Sequence, residues 1–85
     1  MSDSRRPASP LVREFGDRVR ARRGELGLSQ EALAHRAGLQ RAYIGQLETG
    51  MRSPGLETLA KLAKALEMDL GDLVEGLQSL LGKKI

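Results

Sequence analysis

The hydrophobic residues of this chain recur at helical spacing in five consecutive stretches, and no stretch alternates in the manner of a β-strand. The first apolar face runs from Leu11 to Leu26, and Gly27 follows it as the expected helix end. Four shorter helices are expected over about 30–37, 41–48, 56–67 and 69–81. The pattern therefore predicts an all-α fold of five short helices.

The second and third predicted helices are joined by a short turn that contains Gly38. Glycine readily adopts the left-handed backbone conformation that such a turn requires. Ser29 precedes the second helix, where a serine hydroxyl can cap the first free N–H groups. Two short helices with a turn of this length form a helix-turn-helix, whose second helix can enter the major groove of DNA.

The composition limits the classes of protein and the kinds of site that this chain can contain. The chain has 85 residues and no cysteine, so we expect one small domain with no disulfide and no thiolate metal site. The single histidine, His35, lacks the partners that catalysis or a metal site would need, so we expect no enzyme and no cofactor. No signal peptide is evident, and no apolar run approaches the roughly 20 residues of a membrane span. We expect a cytoplasmic, nucleoid-associated protein.

The net charge of +3 is distributed unevenly. Residues 1–24 contain seven arginines and three acidic residues, whereas residues 56–85 contain four lysines and five acidic residues. The basic excess at the front suits contact with a polyanion, but a solvated arginine-rich helix face accounts for it equally well. Residues 1–9 lack periodicity and predict a flexible arm, which either wraps DNA or makes no contact.

The residues around the turn resemble those of the Xre family of phage-repressor and Cro-like helix-turn-helix regulators. The matching segments are LSQEALA at 28–34, AGL at 37–39, YI at 43–44, LETG at 47–50 and LETL at 56–59. Pro54, Leu62, Ala63 and Leu66 match in register, and the similarity extends from about 15 to 74. The resemblance implies a five-helix, lambda-repressor-like DNA-binding domain over 10–82, with 83–85 as a tail.

The exposed face of the third helix is the candidate base-reading surface. At about 100° per residue, Ile44 and Leu47 point toward the first two helices. Arginine can bridge guanine O6 and N7, glutamine can bridge adenine N6 and N7, and a small alanine can meet a thymine methyl. We therefore predict Arg41, Ala42 and Gln46 as base readers, and the family's base-reading positions fall on the same three residues.

A second set of positions suits the DNA backbone. Gln30 opens the second helix, where free N–H groups and the helix dipole favour an anion. In the family, the matching glutamine grips a phosphate. The alternative for Arg52 is a solvated surface charge. The alternative for Tyr43 is packing at the edge of the third helix. The predicted backbone contacts are Arg23, Gln30, Gln40, Tyr43, Thr49, Met51 and Arg52.

The resemblance also implies an ion pair between Arg23 and Glu48 that links the first helix to the third and orients the arginine toward phosphate. Two unrelated surface charges are the alternative. Gly45 departs from good helix-forming sequence, since a mid-helix glycine costs about 0.5–1 kcal/mol relative to alanine. It either permits close approach to DNA or is simply tolerated.

The apolar spacing of the last predicted helix continues beyond what a five-helix core needs. Val74, Leu77, Leu80 and Leu81 form a stripe that suggests a helix seam. We expect this stripe on a dimerisation helix over about 69–81 to be the interface of a two-fold homodimer. The alternative is that it folds back on its own core. A dimer would place two recognition helices roughly 34 Å apart and predicts a palindromic operator.

The sequence thus predicts a sequence-specific transcriptional regulator of double-stranded DNA that acts as a homodimer and blocks or aids RNA polymerase. The competing hypothesis is an antitoxin-type or other protein-interaction module that also binds DNA. Little surface outside the DNA-binding domain is available for a toxin, and an adjacent toxin gene would favour that alternative.

Overall fold

A computed structural model of the chain describes residues 9–81. In this range five α-helices are followed by one short 3-10 helix, which confirms the predicted all-α class. The helices are α1 Pro10–Glu25, α2 Gln30–Ala37, α3 Arg41–Glu48, α4 Leu56–Ala65, α5 Leu70–Val74 and the 3-10 helix Leu77–Leu80. The predicted arm, apart from Ser9, and the tail at 83–85 lie outside the described residues. No helix among residues 9–81 combines the length and apolarity needed to cross a membrane.

The ends of α2 are set by its own flanking residues. The hydroxyl of Ser29 accepts a hydrogen bond from the backbone N–H of Ala32 at 3.0 Å, as an N-cap does. Gly38 ends the helix in the left-handed conformation, with a φ of 70°. Both sequence predictions are confirmed, and the turn they define directs the chain into α3 three residues later.

The core draws apolar side chains from all five α-helices. Its fully buried large members are Val19, Leu33, Ile44, Leu47, Leu62, Leu66 and Leu73. Two of them come from α3, whose inner face is therefore held by packing while its other face meets solvent.

Gly16 allows α1 to lie directly against the C-terminal end of α3. A Cβ added at this position would overlap the carbonyl oxygen of Leu47 and lie 3.0 Å from the backbone of Glu48. Because both neighbours are backbone, neither can rotate out of the way. This requirement is not evident from the sequence, since nothing in the local pattern distinguishes Gly16 from a tolerated helix glycine.

Several arginines of the basic N-terminal half bind backbone carbonyls at helix ends. Nε of Arg22 donates to the carbonyl of Leu66 at 3.0 Å, just after α4. Nη1 of Arg18 donates to the carbonyl of Leu73, near the end of α5, at 3.2 Å. Cations are favoured at these ends, where carbonyls lack helical partners. Part of the charge excess is therefore structural.

The predicted helix over 69–81 is wrong in its second half. α5 ends at Val74, and Gly76 then adopts a φ of 73°, which turns the chain before the 3-10 helix. This turn directs Leu77 into the core of its own chain, where it is 6% exposed. Leu77 therefore packs mainly within its own chain, whereas Leu80 and Leu81 remain 41% and 47% exposed.

The Gly16→Ala variant tests the close contact between α1 and α3. Overpacking against fixed backbone should lower the free energy of unfolding by about 1–3 kcal/mol, measured by urea denaturation followed by circular dichroism. Gly24→Ala is the matched control on the same helix, because an added Cβ there meets nothing within 4 Å. It should be neutral or stabilising by up to about 1 kcal/mol. Equal stability of the two variants would contradict the role of Gly16.

Candidate nucleic-acid interface

α3 carries the predicted base readers on its solvent-facing side. Arg41, Ala42 and Gln46 are exposed, whereas Ile44 and Leu47 have no exposed surface. Arg41 is the first residue of the helix, where its side chain can reach beyond the helix end. A helix with its side chains is about 10–12 Å across, which matches the roughly 12 Å width of the major groove. The geometry is that of a helix able to read bases.

The predicted ion pair between Arg23 and Glu48 is confirmed. Nε of Arg23 lies 2.6 Å from Oε2 of Glu48, and Nη2 lies 3.1 Å from Oε1. Two parallel bonds of this kind are stronger and more directional than a single contact. The hydrogen bond to Glu48 raises the pKa of Arg23, against a smaller opposing effect of burial. The pair ties α1 to the last residue of α3.

Glu48 also holds the start of α2. Nε2 of Gln30 donates to Oε1 of Glu48 at 3.1 Å, and Nη1 of Arg23 donates to the carbonyl of Leu28 at 2.7 Å. One carboxylate, only 4% exposed, thus joins three helices at the edge of the candidate surface. The bond from Gln30 was missed by sequence reasoning. The sequence signal for an inward-facing Glu48 is that it follows Ile44 by four residues, which places both side chains on one face of the helix.

The turn after α3 is stabilised by bonds that involve two of the predicted backbone contacts. The backbone N–H of Met51 donates to the carbonyl of Gln46 at 2.8 Å. The hydroxyl of Thr49 lies 3.1 Å from that same carbonyl. A phosphate contact by either group would require these bonds to be exchanged.

Arg52 and Tyr43 form a stacked pair beside this turn. The guanidinium carbon of Arg52 lies 5.3 Å from the ring centroid of Tyr43, and the arginine is exposed. Such a cation–π contact is worth about 0.5–1 kcal/mol at an exposed site and limits the positions the cation takes. Gln40 is also exposed, at the N-cap of α3, where its side chain makes no capping bond. These residues are available at the rim of the surface.

Gly45 is not required by packing within the described chain. An added Cβ would meet only the side chain of Gln30, at an ordinary 3.7 Å. Its φ is negative, as in any helical residue, so backbone strain does not demand glycine either.

Comparisons with known proteins identify the family. A family model described as helix-turn-helix matches residues 19–73, which include α2, the turn and α3. The chain is 39% identical over 62 residues to the control protein C.BamHI of Bacillus amyloliquefaciens, covering 72% of this chain and 76% of that protein.

Solved structures of two related proteins are also similar to this chain. The restriction-modification controller protein C.AhdI from Aeromonas hydrophila is 46% identical, with a TM-score of 0.70 over 74% of this chain and 94% of that chain. The P22 c2 repressor in complex with a synthetic operator is 37% identical, with a TM-score of 0.68 over 73% of this chain and 94% of that chain.

Glu48→Ala tests the buried carboxylate. It leaves the donors of Arg23 and Gln30 without their acceptor and should lower the free energy of unfolding by about 3–5 kcal/mol. Glu67→Ala is the control, because its pair with Arg36 leaves the two side chains 59% and 42% exposed. An exposed pair is worth about 0–1 kcal/mol. Chemical denaturation measures the free energy of unfolding of both variants. Equal losses in Glu48→Ala and Glu67→Ala would contradict the account.

Proposed function

Because this chain belongs to the Xre family of phage-repressor and Cro-like helix-turn-helix regulators, which bind DNA and are not enzymes, we propose that it recognises a palindromic operator as a homodimer. The observation that carries the proposal is the exposed polar face of α3, held against the core by Leu47 and anchored by Glu48. The P22 c2 repressor, a structural relative, is itself bound to an operator.

In this proposal Arg41, Ala42 and Gln46 read base edges in the major groove. Their side chains are accessible, and two of them are the types that make bidentate contacts to guanine and adenine. Gln30 contacts a phosphate from the N-terminus of α2, where helix N–H groups favour an anion. The other backbone contacts are assigned to Arg23, Gln40, Tyr43, Thr49, Met51 and Arg52.

An apolar groove supports self-association on the side that carries α5. The groove has a volume of about 290 Å³, and its walls include Leu11, Phe15, Pro54, Leu59 and Val74. It lies between α1, the loop before α4, α4 itself and the end of α5, and Leu77 forms part of it. A groove of this composition is better covered than left in contact with water.

Leu80 and Leu81 supply the side chains that can cover the groove. With Leu56 they are the exposed large apolar residues of the range 9–81. They lie three and four residues after Leu77, so a two-fold arrangement can insert this segment of each copy into the groove of the other. The interface proposed here uses Val74, Leu80 and Leu81 on its surface, with Leu77 as support from within each monomer.

Such a dimer would present two copies of α3 to successive major grooves, roughly 34 Å apart. The protein would then act at DNA in the cytoplasm, at the nucleoid, where it blocks or aids RNA polymerase. C.BamHI and C.AhdI are control proteins, the latter of a restriction-modification system. Genes of such a system are therefore the first targets to examine.

Replacement of Arg41 by alanine tests base reading. In binding to sites selected from random DNA, Arg41→Ala should lose preference at one base position per half-site and about 1–3 kcal/mol of binding free energy. Arg52→Ala removes an exposed arginine from the rim and should weaken binding to every sequence alike. The slope of the logarithm of affinity against the logarithm of salt concentration should fall by about one. Uniform weakening by Arg41→Ala would assign it to the backbone instead.

Leu80→Asp combined with Leu81→Asp tests the interface. Sedimentation should find monomers whose far-ultraviolet circular dichroism is unchanged, since both side chains are exposed in the monomer. Gln78→Asp combined with Ser79→Asp is the control, because these neighbours are also exposed and gain the same charge. Dimers in the leucine variant, or monomers in the control, would show that the interface is not built as proposed.

A further inference from the structure

A second concave surface lies between α2 and α4, away from the groove and from the exposed face of α3. It is an open cleft of about 370 Å³, bordered by Arg36 and Ala37 on α2 and by Lys61 and Lys64 on α4. Gln30 stands at the other end of α2, about 9 Å along the axis from Arg36 at 1.5 Å per residue. The cleft can therefore be occupied while the start of α2 faces DNA.

The rim of the cleft is positively charged. Three cations, Arg36, Lys61 and Lys64, border it with one carboxylate, that of Glu67. Within residues 9–81, the ion pairs shorter than 4.0 Å include neither lysine. The two lysines are three positions apart on α4, so their side chains emerge beside each other on one helix face.

Glu67 indicates which kind of chemical group the cleft can bind. Its Oε2 lies 3.1 Å from Nη1 of Arg36. It is the only non-glycine residue between 9 and 81 with a positive φ, 57°, which ends α4 two residues before the predicted limit. This conformation closes the helix as a Schellman cap, in which the N–H of Glu67 donates to the carbonyl of Lys64 and that of Met68 to the carbonyl of Ala63. The exposed pair is worth at most about 1 kcal/mol, so an incoming carboxylate can replace Glu67.

The floor of the cleft is apolar and shallow. Ala37 and Ala65 line it, at 7% and 6% exposure, and an aliphatic side chain can rest on their methyl groups. A nucleic-acid backbone offers phosphates to the rim, but it has no projecting aliphatic side chain for this floor. We propose that the cleft binds an acidic peptide segment of a partner protein, with carboxylates on Arg36 and the two lysines and an aliphatic side chain on the alanines.

The probe for this site is a fluorescein-labelled synthetic peptide in which glutamate and leucine alternate, followed by fluorescence anisotropy at about 0.15 M salt. Lys61→Gln combined with Lys64→Gln should weaken binding about tenfold, as expected for the loss of two ion contacts. The control, Arg13→Gln combined with Arg20→Gln, removes the same charge from exposed positions on α1 and should bind like the wild type. Glu67→Gln should tighten binding, because it removes the competing carboxylate.

Each other outcome overturns the proposal. Equal weakening by both double variants would mean non-specific attraction, and no saturable binding to the wild-type chain would mean no site. A labelled oligothymidine that loses affinity only with the lysine variant, while the peptide does not, would assign the cleft to nucleic acid. Loss of self-association in the lysine variant would assign it to a second copy. Circular dichroism of every variant verifies that the exposed substitutions leave the fold intact.

Discussion

The carboxylate of Glu48 is the interaction on which the geometry of the DNA-facing surface depends. It accepts hydrogen bonds from Arg23 on α1 and Gln30 on α2 while belonging to the last turn of α3. An isolated helix as short as the eight residues of α3 is not stable in water. The orientation of α3 must therefore come from what holds its inner face, which is apolar packing along its length and this buried carboxylate at its end.

A buried charge stabilises only when it is fully paired, and this one is. Each oxygen of Glu48 has a charged donor, and none of the buried side-chain polar atoms among residues 9–81 lacks a hydrogen-bond partner. Gly16 adds to the arrangement, because its lack of a Cβ lets α1 lie directly against the backbone of Leu47 and Glu48 at the end of α3. The opposite face of α3 is not needed to hold the helix in place and can therefore be polar.

The sequence predicted best where structure is decided locally. The bounds of α2 and α3 match the predicted ones because Ser29 and Gly38 act on their own neighbours. It failed after Val74, because an apolar stripe does not show that Gly76 turns the chain, so that Leu77 packs in its own core while Leu80 and Leu81 stay exposed. The close approach at Gly16 depends on a helix far along the chain, so no local signal could reveal it. The bond between Gln30 and Glu48 also joins distant helices, and the local pattern shows only that Glu48 shares a helix face with Ile44.

The most direct test of the central claim, that two copies of an anchored α3 read DNA together, is selection of bound sites from random DNA with the full chain. The account predicts an enriched sequence with two inverted half-sites whose centres are about one helical turn, roughly 34 Å, apart. A single unsymmetric site, or no enriched sequence at all, would contradict it.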